Sequence, residues 1–244
     1  MRQSVLVICT AVLTTTVLLT TTYMVPFITW SRPVSRPFER SAIISFSSDD
    51  GRSSDLNSAN VMREYGYRMT FYVTSSMVGR TMYMDYGQLL KLQSEGFEVG
   101  SHGVTHADLT ALSFADATKE IVDSKAVLES HGLRVNCFAF SYGLHNRTLD
   151  AIANRTYTYV RYDYCGLTGA AYSIIDEAIA DKTLVNFNFH GLDAWGNVLL
   201  NGRPIGLKLS AVLDYLNRCS VPVLTQIQAH YLDETMNIYD NRSR

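Results

Sequence analysis

The chain has 244 residues, 47% of them hydrophobic and 18% charged, and a formal net charge of −2. Those values fit one large globular domain or two small ones and exclude a disordered or low-complexity chain. The near-neutral balance gives no basic field, so nucleic acid is not an expected partner.

From Ser4 to Trp30 there is no charged residue, and Val, Leu and Ile are interspersed with eight threonines. About twenty apolar residues span a bilayer, so residues 1–30 are read as a signal peptide or a membrane anchor. Arg2 precedes this run, while Arg32, Arg36 and Arg40 lie after it. That bias taken alone favours a cytoplasmic location for the C-terminal side of the segment. Residues 31–40, with Pro33 and Pro37, read as a linker, residues 41–230 as the single folded domain, and 231–244 as a C-terminal tail. Cys9 lies in the apolar segment, which leaves Cys137, Cys165 and Cys219 in the domain without CxxC spacing. One disulfide is possible, none is required, and the three read as small buried residues rather than metal ligands. Sequons begin at Asn146, Asn154 and Asn241.

Short β-branched or aromatic runs at 42–47, 69–74, 97–101, 136–140, 157–162, 184–189 and 221–225 are the expected strands. Helical patterns lie between them, near 55–66, 85–95, 113–131, 147–154, 173–180 and 207–218. The third is the clearest, with Ser113 as N-cap and Gly132 past its end. Alternation of this kind argues for a parallel α/β sheet. Seven strands are one short of a closed barrel, so an incomplete or distorted (β/α) barrel is expected, with a doubly wound open sheet as the alternative. Both place chemistry at the C-terminal strand ends.

The chemistry-bearing residues fall at those ends. Asp49 and Asp50 come after the first strand, His102 and His106 after the third, Tyr142 and Gly143 after the fourth, and His190 after the sixth. One carboxylate and two imidazoles can hold a divalent metal with a position left for water, as in catalytic zinc sites. The second carboxylate is then free to act as a base.

These segments resemble the motifs of the polysaccharide deacetylases that share the NodB-homology domain. Ser47-Ser48-Asp49-Asp50-Gly51 is similar to the family's Thr-Phe-Asp-Asp-Gly, and His102-Gly103-Val104-Thr105-His106 to its His-Ser/Thr-x-x-His. Phe138-Ala139-Phe140-Ser141-Tyr142-Gly143 resembles Arg-Pro-Pro-Tyr-Gly, and Asn188-Phe189-His190 resembles Leu-x-His. The likeness runs from Ala42 to Gln226. It implies Asp50, His102 and His106 as metal ligands, Asp49 as general base, the Tyr142 amide as oxyanion donor and His190 as general acid. It further implies one divalent ion, zinc first and cobalt or nickel next, and an acetylated polysaccharide substrate. The expected reaction removes N-acetyl groups, with O-acetyl as the variant, from a cell-surface or extracellular polymer. The same resemblance implies an exported enzyme, secreted or membrane-anchored, with its catalytic domain outside the cytoplasm.

Three departures stand out. Ser48 replaces the motif phenylalanine, Gly103 replaces a hydroxyl residue, and Ala139 stands where many members carry an arginine that contacts the catalytic aspartate. Arg161, near the end of the fifth strand, either supplies that missing charge within about 8 Å of Asp49 or pairs at the surface with Asp163. The competing functions are an amidohydrolase acting on small cyclic amides or ureides, a catalytically weakened carbohydrate-binding relative, and a membrane-tethered structural protein.

Overall fold

The computed structural model describes residues 41–242, with side-chain detail to residue 236. The apolar N-terminal segment, the linker and Cys9 lie outside the described residues, as does the last residue of the third sequon. All seven expected strands form: β1 (Ile43–Ser48), β2 (Thr70–Val73), β3 (Glu98–Ser101), β4 (Cys137–Ala139), β5 (Tyr159–Arg161), β7 (Leu184–Phe189) and β10 (Val223–Leu224). A two-residue strand, β6 (Cys165–Gly166), joins them. Every pairing in this sheet is parallel, in the order β5-β4-β3-β2-β1-β7-β6. The first half of β1 pairs with β10 and the second half with β2, at Ile44–Val223 and Ser47–Thr70. The sheet curls but β5 and β6 do not pair, so the barrel is incomplete.

The six expected helices form as α1 (Asp55–Glu64), α2 (Tyr86–Ser94), α3 (Phe114–Ser130), α4 (Arg147–Thr156), α5 (Ala171–Asp181) and α6 (Leu209–Cys219). Ser113 caps α3 by accepting from the Asp116 amide, and Asp85 with Gln88 forms a capping box on α2. Asn146 of the first sequon caps α4, its side chain accepting from the Thr148 and Leu149 amides. Cys137, Cys165 and Cys219 are free thiols, and Cys219 is exposed rather than buried.

Besides β6, a hairpin and a helix were not anticipated. β8 (Asn197–Leu200) and β9 (Arg203–Lys208) form a separate antiparallel hairpin. Helix α7 (Gln226–Arg242) runs through the segment read as a C-terminal tail. Its Ala229, Leu232 and Met236 have helical spacing and pack with Ile43, Leu184 and Leu224.

The strand alternation explains how the sheet's two faces differ. Ile44 and Phe46 of β1 and Phe187 and Phe189 of β7 join the main apolar core, and Phe46 stacks on Phe187 at 5.6 Å between centroids. The alternate residues Ser45, Ser47, Asn186 and Asn188 face the concave side, where Ser47 Oγ donates to Asn188 Oδ1 at 3.0 Å. Strands of buried parallel sheets are normally apolar on both faces. Here the concave face is polar, and it houses a buried arginine. Tyr72 crosses this space beside Gly100, where a Cβ would approach its ring to 2.7 Å and Cys137 Sγ to 2.6 Å.

Candidate active site

At the end of β1, Asp49 anchors its amide on the Phe189 carbonyl at 3.2 Å. Asp50 and Gly51 then adopt φ of 77° and 75°, and a Cβ on Gly51 would meet Val73 at 3.0 Å. Glycine is needed at the second position for both reasons. Arg161 is 3% exposed. Its guanidinium grips Asp49 at both oxygens, Nη1 to Oδ1 at 2.8 Å and Nη2 to Oδ2 at 2.7 Å. Asn188 Nδ2 donates a third hydrogen bond to Asp49 Oδ2 at 3.1 Å. The arginine is held in turn, Nη1 donating to Ser47 Oγ and Asn188 Oδ1 at 3.0 Å each. Gln226 Nε2, from the start of α7, reaches the same serine at 3.3 Å. Arg161 is therefore not a surface partner of Asp163. Burial alone would push the Asp49 carboxyl upward, but the Arg161 charge, with His102 and His190, holds it below its ordinary value.

The loop after β3 carries the two histidines. Its amides at Val104 and Thr105 donate to Glu120 Oε2 of α3 at 2.8 and 2.9 Å, and Thr105 Oγ1 donates to Oε1 at 2.7 Å. A Cβ at Gly103 would lie 3.2 Å from that same carboxylate. The loop is thus held from α3. His102 Nδ1 lies 2.8 Å from the Ala139 carbonyl, which accepts its proton and leaves Nε2 as the lone-pair nitrogen. Burial first, and Arg161 next among the opposing charges, push the His102 imidazole below its ordinary value despite Asp49. A neutral imidazole is the form that ligates a metal. His106, at φ 65°, sets Nδ1 3.2 Å from the Tyr142 hydroxyl.

Asp50, His102 and His106 present ligand atoms that all lie within 4.8 Å of one another. Asp50 Oδ1 is buried with no well-formed hydrogen bond, although His106 Nε2 stands 3.1 Å away. The other oxygen accepts from Arg52 Nε at 3.0 Å. Burial would raise the Asp50 carboxyl, and His106, His102 and Arg52 together hold it well below the usual range. An orphaned carboxylate oxygen facing imidazole nitrogens fits a divalent cation, and two histidines with one aspartate leave positions for water and substrate.

His190 comes directly after β7, where its amide donates to the Leu199 carbonyl at 2.8 Å and its Nδ1 is buried without a partner. Tyr142, beyond the end of β4, has φ 59° and is 63% exposed. All six residues expected at the site, Asp49, Asp50, His102, His106, Tyr142 and His190, line one cavity of about 510 Å³. Arg52, Tyr164, Asn188 and the hairpin residues Leu200, Asn201 and Gly202 line it as well. Sequence reasoning missed Asn188, Arg52 and Glu120. The polar alternation of Val185-Asn186-Phe187-Asn188-Phe189 was the available signal for the first.

Residues 38–160 match the polysaccharide deacetylase family, half of the chain, and the chain belongs to that family. The fold is similar to that of the peptidoglycan deacetylase PdaC from Bacillus subtilis, with a TM-score of 0.61 and 20% identity over 83% of this chain and 96% of that one. It is also similar to the Xyl-CE4 domain of a multidomain xylanase from the hindgut metagenome of Trinervitermes trinervoides. There the TM-score is 0.58 at 16% identity, covering 80% of this chain and 92% of that one. By sequence, 96 residues are 25% identical to YxkH of Bacillus subtilis, covering 39% of this chain. The chain spans about a third of that relative's length, 34%.

Proposed function

We propose that this protein is a metal-dependent hydrolase that removes acetyl groups, N-linked in the first instance, from a polysaccharide outside the cytoplasm. The observation that carries this reading is the pairing of a base-like carboxylate, Asp49 gripped by Arg161, with the Asp50–His102–His106 cluster in one cavity. Asp50, His102 and His106 would hold the ion, most suitably zinc. When bound, it acts as a Lewis acid that makes water acidic enough to attack at neutral pH. Asp49 takes the proton of the attacking water, and Arg161 and Asn188 keep its carboxylate charged and fixed in place. The Tyr142 amide donates toward the oxygen on which negative charge develops. His190 gives a proton to the departing nitrogen, which would otherwise leave as a very poor amide anion. A free amine on the sugar and acetate are the products.

Arg161 also bears on the reading of a weakened carbohydrate-binding relative. Ala139 was the ground for that reading, and Arg161 supplies the charge that position 139 lacks. A polymer is favoured over a small cyclic amide by the shape of the cleft. A second cavity of about 230 Å³ adjoins the first, sharing Asp50, Arg52, His106 and Tyr142. Two aromatics that line the first cavity, Tyr142 and Tyr164, are exposed at 63% and 43%. The uncharged run from Ser4 to Trp30, long enough to direct export, supports the location. The test is acetate release by the full-length protein with added zinc on N-acetylglucosamine oligomers, peptidoglycan and acetylated xylan. Zinc-dependent release from at least one polymer is expected. Release from a cyclic ureide but from no saccharide would overturn the proposal.

A further inference from the structure

Arg161 gives its terminal nitrogens to Asp49, Ser47 and Asn188, all as hydrogen bonds in the guanidinium plane. The faces of that plane are left for contacts of another kind, and arginine stacks well on aromatic rings. Two tyrosines meet it there. The Tyr72 ring centroid lies 4.7 Å from the guanidinium carbon and the Tyr164 centroid 4.5 Å from it, both within cation–π range.

The two rings differ in what lies beyond them. Tyr72 is fully buried, and its hydroxyl donates to Gln226 Oε1 in the polar interior. Tyr164, just before β6, lines the cavity and is exposed. Arg161 stays buried all the same, with its Nε out of contact with solvent and without a partner. The Tyr164 ring therefore stands between the guanidinium and the cavity. Its far end reaches the turn that carries Tyr142, where a Cβ on Gly143 would lie 3.3 Å from the Tyr164 hydroxyl. That hydroxyl has no hydrogen-bond partner among the described residues, so the ring does the covering. Water admitted at this point would compete for the Arg161–Asp49 hydrogen bonds and screen their charges, whereas a dry surrounding strengthens them.

We propose that Tyr164 is a positioning residue, whose ring seals the Arg161–Asp49 pair from the cavity and so keeps the carboxylate where it takes the proton of the attacking water. This rests on the deacetylase reading above and adds a residue that acts through Arg161.

Proton exchange at the Arg161 Nε–H tests the seal without needing turnover. The full-length protein would carry 15N-labelled arginine, and the signal would be assigned by its absence in Arg161→Lys. In the wild-type protein the proton should exchange slowly and be shifted upfield by the rings. Tyr164→Leu should exchange about ten-fold faster, the equivalent of a desolvated cation–π contact, and Tyr164→Phe should match wild type. On N-acetylglucosamine oligomers, kcat should fall about ten-fold in Tyr164→Leu, with KM and zinc content unchanged, and return in Tyr164→Phe. Unchanged exchange in Tyr164→Leu would overturn the inference, as would a raised KM at wild-type kcat, which would make the ring a sugar contact alone. A Tyr164→Phe protein as defective as Tyr164→Leu would overturn it too. Absence of acetate release from every saccharide by the wild-type protein would count against the deacetylase reading, while the exchange rates still decide the seal.

Discussion

Asp49 accepts hydrogen bonds from both terminal nitrogens of Arg161 and from Asn188, inside a polar concave face that holds the arginine in place. Asp50, the next residue, keeps one oxygen unpartnered, 3.1 Å from an imidazole nitrogen, and lends only the other to Arg52. Backbone geometry produces the difference. Asp49 continues the strand toward the concave side, while the positive φ at Asp50 turns its carboxylate toward the histidine loop. Two chemically identical groups thus meet different surroundings: one is saturated by fixed donors, and the other turns an open oxygen toward the imidazoles.

The largest effect should come from breaking the saturated side. Arg161→Met would leave Asp49 buried without its guanidinium partner, at a cost of about 3–5 kcal/mol. A matching fall in the denaturant midpoint is expected, together with loss of acetate release. An unchanged midpoint would mean that the pair does not bear on stability. On the other side, Glu120→Gln should loosen the loop that carries both histidines. Outer partners of a metal site are typically worth about 10–100-fold in affinity, so zinc titration should show a drop of that size with little change in fold. Affinity equal to wild type would show that the loop is held elsewhere.

The smallest effect concerns Asp55 behind the site, whose Oδ1 accepts from Ser48 Oγ at 2.5 Å while Oδ2 has no partner. Burial, then the neighbouring Asp50 and Asp49 charges, push its carboxyl well above the ordinary 3.8, against the Ser48 hydrogen bond. A group whose pKa rises on folding stabilises most below its unfolded value and loses that contribution as pH rises. Asp55→Asn should therefore gain on wild type as pH climbs from about 4. A relative Tm increase of about 2–4 °C, what one kcal/mol yields in a chain of this size, is expected near neutrality. A pH-independent difference would contradict the assignment of Asp55 as the buried acid.

Much of this was legible from the chain. The seven strands and six helices fall within a few residues of their expected bounds, because parallel βα units carry strong local patterns. The positions of the rim residues come from that order alone. What was not legible depends on distant residues. Glu120 supports a loop sixteen residues earlier in sequence, and Gln226 reaches Ser47 across 179 residues. Neither link leaves a local trace. Two elements did leave one. Asn201-Gly202 between apolar runs is a hairpin signal, and Ala229, Leu232 and Met236 have helical spacing.

The central claim is that the two adjacent aspartates do different things, and zinc content tests it most directly. Purified Asp49→Asn and Asp50→Asn proteins would be dialysed against zinc, and the metal bound per chain would be measured beside acetate release. Asp49→Asn should retain zinc near one per chain while losing turnover, and Asp50→Asn should lose the zinc itself. Equal zinc loss in both variants, or full turnover in Asp49→Asn, would contradict the division of labour.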